Sequence, residues 1–347
     1  METLSEREKS VLRHVIRNFI LTAAPVGSRH ISRNTGIGYS AATIRNVMAD
    51  LEESGYLEHP HTSAGRAPTD KGYRYYVDSL MRAARLSKRD REKIAGRLDP
   101  KTIDNELVVD AASKLLSDVT RQLACVMYPR LASGTLEKIR LVELSSSRVL
   151  VVVTVRAGLV KTITLELDSE VEPRQLEEAQ TLLNERFAGL TLGEIRETFA
   201  ERMKDVDSKG ARPILNIFFD RVDKLFVDER TPDKAAMTGA SHLVKQPEFD
   251  APEKFRGVVE MIEERDMIVH IMEKSSKGAA ERAAVAIGKE LEDEQLDDYS
   301  VVVREYKIGN SAGALGVVGP KRMEYSKIVA IVDYIANTLT DMLKNPN

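Results

Sequence analysis

The chain has 347 residues, room for two or three domains of ordinary size. Its 42% hydrophobic and 30% charged residues describe a folded chain and exclude a disordered one. The 51 Lys and Arg against 54 Asp and Glu leave a net charge of −3, which excludes a uniformly basic nucleic-acid coat but not a local basic face. One cysteine, Cys125, leaves no intramolecular disulfide and points to a reducing compartment. The opening METLSEREKS lacks the apolar core of a signal segment, and the apolar run at 149–155 is too short to span a bilayer. A cytoplasmic protein without membrane attachment is expected.

Residues 5 to about 22 carry the first helical pattern. Ser5 with Glu8 forms a capping box, and Val11, Leu12, Val15, Ile16 and Phe19 form the apolar stripe. A turn at 23–27 follows, then a short helix that Ser28 caps and that holds Ile31. A tight turn at 34–38 leads into a third helix capped by Ser40. There Ile44, Val47, Met48 and Leu51 fall at i, i+3, i+4 and i+7, one buried stripe. The opposite face carries Ala42, Thr43, Arg45, Asn46 and Ala49, small, polar and cationic, which suits close approach to a DNA groove. Gly55 ends the helix, Tyr56 and Leu57 start a short strand, and the Pro- and Gly-punctuated run from His59 to Pro68 reads as a β-hairpin wing with Arg66. Helix, short helix, turn, helix and hairpin in about seventy residues is the winged helix-turn-helix order.

Another helix starts at Thr69 or Asp70, with Tyr73, Tyr76, Val77 and Leu80 as its stripe. The charged stretch 81–106 reads as a linker with some helix, and 107–123 as helix again. Strand-like runs follow at 124–128, 138–143, 148–155 and 159–167, then a helix at 176–187. From about 191 the character turns mostly helical, with patterns at 192–203, 212–225 and 252–265 around a Pro/Gly-punctuated stretch. Strand patterns return at 268–272 and 300–307, then a Gly-rich loop and strand at 309–320, and a closing helix at about 325–343. Strands, a helical insert and strands again give an α+β multidomain chain. The expected divisions are 1–80, a linker at 81–106, one split domain at 107–190 and 268–347, and an insert at 191–267.

Each candidate site has a plainer reading beside it. On the third helix, Ser40, Ala42, Thr43, Arg45 and Asn46 could be an ordinary solvated face. The flanking turn and wing favour DNA contact, Arg45 and Asn46 having the chemistry for guanine and adenine edges. Ser28 and Arg29 open the second helix toward the backbone, and His61, Thr62, Ser63 and Arg66 are the wing's groove or phosphate contacts. His59, His61 and His30 are a weak metal signal around a proline, without a nearby cysteine. Tyr73, Tyr75 and Tyr76 at helical spacing read as packing rather than base stacking. Cys125 reads as a buried small hydrophobe. The 309–316 loop lacks P-loop and GxGxxG order, so it reads as a turn beside a strand, and the charge run at 290–298 as a solvated face. No nucleophile–base pair, metal cluster or cofactor motif stands out, so no enzyme and no cofactor are expected.

The strings Pro25-Val26-Gly27-Ser28, Ala42-Thr43-Ile44-Arg45-Asn46, Asp50-Leu51-Glu52 and His61-Thr62-Ser63-Ala64-Gly65-Arg66-x-Pro68-Thr69-Asp70-x-Gly72-Tyr73-Arg74-Tyr75-Tyr76-Val77-Asp78 resemble the bacterial heat-inducible transcription repressor family HrcA. So does Gly316-x-x-Gly319-Pro320-x-Arg322-Met323-x-Tyr325 near the other end. The resemblance implies a homodimer that binds the CIRCE inverted repeat and represses class I heat-shock operons, which encode the GroE and DnaK chaperones. It implies that the chaperonin GroEL maintains repressor activity. It also implies three parts: a winged helix, a GAF-like α+β domain and an inserted dimerising domain. Ala67 departs from the family's pattern, where a larger aliphatic wing residue is expected. Two alternatives stand beside it: a metabolite-responsive winged-helix regulator, and an enzyme built on the α+β region.

Overall fold

The computed structural model describes residues 4–60, 65–82, 84–98, 108–128, 134–156, 159–167, 172–205, 212–226, 235–308 and 311–344. They form a mixed α+β chain with two compact units. One holds residues 1–127, 235–305 and 314–338, and the other holds 128–234, 306–313 and 339–347.

Helix α1, Glu6–Thr22, starts where the capping box places it: Ser5 Oγ accepts from the Glu8 amide at 3.3 Å, and Glu8 Oε2 accepts from the Ser5 amide at 2.6 Å. Its buried stripe is Val11, Leu12, Val15, Ile16 and Ile20; Phe19, expected in that stripe, is half-buried. Helix α2, Ser28–Asn34, is capped by Gly27 and not by Ser28, because the Gly27 carbonyl already accepts from His30 and Ser28 is the first helical residue. Helix α3, Ala41–Glu53, buries Ile44, Val47, Met48 and Leu51. Strands β1, Leu57–Glu58, and β2, Ala67–Pro68, pair antiparallel as a ribbon. The chain into β2 crosses the α1–α2 turn at Gly65. A Cβ there would lie 2.4 Å from the carbonyl carbon and oxygen of Val26, so close approach and not a turn demands glycine.

Helix α4, Asp70–Tyr75, continues into a π-helical turn, Tyr76–Leu80. That wider turn leaves Val77 half-buried and brings Tyr75 into the core with Tyr73, Tyr76 and Leu80. The tyrosines therefore pack, Tyr75 edge-on against Tyr56 with ring centroids 5.4 Å apart. Helix α5, Lys88–Arg97, lies within the expected linker, capped by Ser87.

Helix α6, Val108–Thr120, packs on strands β3, Leu123–Met127, and, much later in the chain, β7, Ala235–Thr238. A five-stranded sheet runs in the order β7-β3-β10-β9-β8, where β8 is Ala284–Ile287, β9 Tyr299–Ile308 and β10 Ser311–Pro320. All five residues of β3 are buried. Leu123, Cys125 and Met127 share a core with residues of α11, Ala240–Val244, α12, Pro252–Glu263, and α13, Arg265–Ser276. Helix α14, Tyr325–Lys344, lies along β9, where Arg304 reaches Asp333 at 2.9 Å.

Two local expectations are corrected here. Residues 268–272 are helix, not strand: Ile268, Ile271 and Met272 are buried at helical spacing, which a short apolar run cannot reveal. The Gly-rich run 309–316 largely forms β10, its glycines serving strand contact; a Cβ on Gly316 would lie 2.2 Å from the Val302 carbonyl oxygen.

The second unit holds a three-stranded antiparallel sheet of β4, Leu136–Ser145, β5, Arg148–Val155, and β6, Leu159–Glu166. Its inner face packs on α7, Pro173–Phe187, α8, Leu192–Arg202, α9, Arg212–Asp220, and α10, Val222–Phe226. Helix α7 also closes the open edge of β4: Asn184 brackets Ile139, accepting from its amide and donating to its carbonyl, both at 2.8 Å. These strands belong to the compact unit that holds residues 128–234 together with 306–313 and 339–347. Hairpin patterning identified the strands, but β3 pairs with β7 and β10, partners far along the chain, and not with β4.

Replacing Gly65 with Ala is expected to lower stability by roughly 1–3 kcal/mol through overpacking against Val26, read as a lower urea midpoint. An unchanged midpoint would show that the ribbon can shift at no cost. Burial pushes the Cys125 thiol up to about 12, against a smaller opposing effect of Arg265. An aromatic disulfide reagent at pH 8 should therefore label native protein only at its opening rate; labelling as fast as a free thiol would contradict this.

Candidate nucleic-acid interface

The exposed face of α3 begins at its cap. Ser40 Oγ accepts from the Thr43 amide at 3.1 Å and pairs with Thr43 Oγ1 at 2.9 Å, so both hydroxyls sit at the first turn. The turn before it is closed by Ser32, whose hydroxyl donates to the Tyr39 carbonyl at 3.1 Å. Ala42, Arg45 and Asn46 are exposed, and Thr43 is half-buried. Arg29 on α2 is exposed and Ser28 half-buried. Among the described residues, the side chains of Arg29, Arg45 and Asn46 have no hydrogen-bond or ion-pair partner. The structure thus brings Ser40, Ala42, Thr43, Arg45 and Asn46 together on one helix start. His61, Thr62 and Ser63 lie outside the described residues.

Arg66 differs from the expected groove contact. Its backbone pairs with Val26 at 2.9 and 3.0 Å. Its guanidinium meets Glu52 Oε2 at 2.6 Å and donates to His59 Nε2 at 2.6 Å, with only 18% of the side chain exposed. A carboxylate in reach on α3 captures the cation, and Arg66 braces the ribbon to the helix. His30 is engaged as well, with Nε2 3.0 Å from Asn18 Oδ1 and Nδ1 3.1 Å from Asn34 Nδ2. The end of α3 is held from α4: Thr69 donates to the Gly55 carbonyl at 2.7 Å and Lys71 to the Ser54 carbonyl at 2.8 Å.

The strings noted near the two ends of the sequence meet in space. Lys321 Nζ lies 2.7 Å from Asp70 Oδ1, and the Lys289 amide donates to Asp70 Oδ2 at 3.2 Å. Arg74 grips Glu290 with Nε and Nη2, the Nε bond being 2.8 Å, and donates to the Val285 carbonyl at 2.6 Å. Glu290 is thus a partner rather than part of a merely solvated run. Arg322 pairs with Glu248, donates to Gln246 at 3.2 Å, and donates to the Ile20 carbonyl at the end of α1 at 2.6 Å. Tyr73 meets Tyr325 edge-on, centroids 6.1 Å apart. Burial raises both phenols well above their ordinary range. Residue types alone did not reveal this junction; its only signal was membership of the same two strings.

Comparison with known proteins supplies the class. The chain is 43% identical over 98% of both lengths to a heat-inducible transcription repressor HrcA of Chlorobium phaeobacteroides (strain BS1). It is 42% identical over 99% of both lengths to one of Prosthecochloris aestuarii. The relatives define a class of transcription repressors, not enzymes. A model described as the HrcA protein C-terminal domain matches residues 106–329. The chain belongs to the HrcA family. A solved structure titled only as a hypothetical protein at 2.2 Å resolution shares the fold, with TM-score 0.59, 24% identity, and coverage of 99% of this chain and 100% of that one. No helix among the described residues is long and apolar enough to cross a membrane.

Arg322→Met removes the cation that joins Ile20, Gln246 and Glu248. The expected cost is roughly 1–3 kcal/mol, the range for charge-assisted bonds with half-buried partners. It is measured by denaturant unfolding, and an unchanged midpoint would mean that the junction contributes nothing to stability.

Proposed function

We propose that the chain is a homodimeric repressor whose residues 4–80 form a winged helix-turn-helix, with α3 as recognition helix and the β1–β2 ribbon as wing. The observation that carries this reading is the exposed start of α3, where Arg45 and Asn46 keep uncommitted side chains beside a ribbon braced through Glu52 and Arg66. Arg45 and Asn46 read base edges. Ser28, Arg29, Ser40 and Thr43 contact phosphates, Ala42 allows close approach, and His61, Thr62 and Ser63 are further groove or phosphate contacts. The operator is the CIRCE inverted repeat before class I heat-shock operons for the GroE and DnaK chaperones. Two α3 helices enter major grooves of its half-sites in the cytoplasm.

An inverted repeat requires two copies. The outer face of the β4–β5–β6 sheet supports self-association: Val142 and Val160 are 44% and 56% exposed there among Arg140, Thr162 and Thr164, apolar surface that a second copy would cover. The five-stranded sheet with α6 and α11–α14 is the GAF-like domain of this reading. GroEL keeps the repressor active, so chaperonin occupied by unfolded protein leaves the operons released.

Footprinting of purified protein on upstream DNA of its own chaperone operons, with and without GroEL, tests the operator and the chaperonin together. Protection elsewhere, or none, would overturn the reading. Arg45→Ala should weaken operator binding by roughly 1–3 kcal/mol and relax selectivity at one base position. A gel-shift titration with unchanged affinity would remove Arg45 from the readout.

A further inference from the structure

One concentration of positive charge is left unused by the DNA-binding reading. A cavity of about 460 Å³ is lined by Arg13, His14, Arg17, Tyr76, Leu80, Arg82 and Ser326. Three of its seven walls are arginines and none is acidic. Arg13, Arg17 and Arg82 donate to no acceptor among the described residues. Arg13 Nε is moreover buried without a partner, a state that costs free energy unless an acceptor arrives. His14 does not neutralise the cluster, since its Nδ1 lies 2.7 Å from the Ser10 carbonyl and must donate to it. Burial raises the Tyr76 phenol above its ordinary range, with Arg17 and Arg13 opposing the rise and Glu324 adding to it.

A second cavity, of about 230 Å³, shares Arg17, Tyr76 and Ser326 with the first. Its remaining walls are Ile20, Leu21, Ala84 and Tyr325 together with the charged pair of side chains Glu324 and Lys327. Leu21 is 72% exposed, large apolar surface left uncovered at this spot. The first cavity offers cations without a carboxylate, and the second adds the apolar side chains Ile20, Leu21 and Ala84 beside Glu324 and Lys327. Its combined size is that of a small-molecule site.

We propose that the two adjoining cavities form one binding site for a phosphorylated small molecule of nucleoside di- or triphosphate class, its phosphates held by Arg13, Arg17 and Arg82. The planar guanidinium fork suits bidentate phosphate contact. The ring system lies against Ile20, Leu21 and Tyr76. The walls come from α1 and the π-helical turn on one side and from the first turn of α14 on the other, and Ser326 already donates to the Arg82 carbonyl at 2.5 Å. An occupant therefore binds the N-terminal helices and α14 at once, beside the junction built on Arg322 and Tyr325.

The test is isothermal titration of the full chain with ATP and, separately, with inorganic pyrophosphate. ATP should bind saturably at one site per chain, at least tenfold more tightly than pyrophosphate, because only ATP fills the apolar half. Arg13→Gln/Arg17→Gln should weaken ATP at least tenfold with an unchanged melting temperature. Arg82→Gln, at an exposed position, should weaken ATP as well and keeps the test decisive should the double variant fold poorly. Arg29→Ala/Arg45→Ala should leave ATP binding intact. No saturable heat, equal affinity for the two probes, loss of ATP binding only in the Arg29/Arg45 variant, or an Arg13/Arg17 variant impaired for non-operator duplex DNA but not for ATP would each overturn the proposal.

Discussion

The side chain of Arg322 is the constraint on which the arrangement of the first unit depends. It sits just past the last sheet strand, yet it holds the Ile20 carbonyl in the last turn of α1. With Asp70–Lys321 and Arg74–Glu290 it forms three charged contacts between the N-terminal helices and the five-stranded sheet region. Their partners are 15–37% exposed. Contacts of that kind contribute modestly one by one and weaken with salt. The N-terminal helices are internally firm through an apolar core, while their placement on the sheet region uses these polar contacts together with the ring contact of Tyr73 and Tyr325. A directional, charge-based seam fixes orientation where a greasy one would tolerate sliding.

Within the N-terminal helices the arginines divide their labour. Arg66 and Arg74 have carboxylate partners and serve architecture. Arg29 and Arg45, without partners among the described residues, keep their charge for something outside the chain. A net charge of −3 is compatible with a cationic working face because the balance over the whole chain does not fix how charge is distributed locally.

Much of this was legible in the sequence, and the limits have physical causes. Ser5–Glu8 and Ser40 announced their helix starts, and the stripe Ile44, Val47, Met48, Leu51 is buried as its spacing requires. These signals are local, set within one or two turns. Pairing in space is not local. Strand β3 shows nothing in its own residues to say that it joins β7 and β10 and that the adjacent hairpins belong to another sheet. Arg66 read as an open groove contact because an arginine in a hairpin is ordinarily solvated; Glu52, in the last turn of α3, captures it. At Ile268–Met272 an apolar run carried no period long enough to separate helix from strand.

The pairing of β3 has a consequence for how the protein is made. At the ribosome this strand emerges long before either neighbour: β7 begins at residue 235 and β10 at 311. At ordinary elongation speeds the wait for β10 is roughly 10–40 s. Throughout it the run Leu-Ala-Cys-Val-Met presents two unpaired apolar edges to its surroundings. Sheets closed by such distant partners form slowly and are vulnerable to off-pathway association. Arg322, which secures α1, is translated later still. A newborn chain therefore has a finished set of N-terminal helices well before the rest of its first unit can exist.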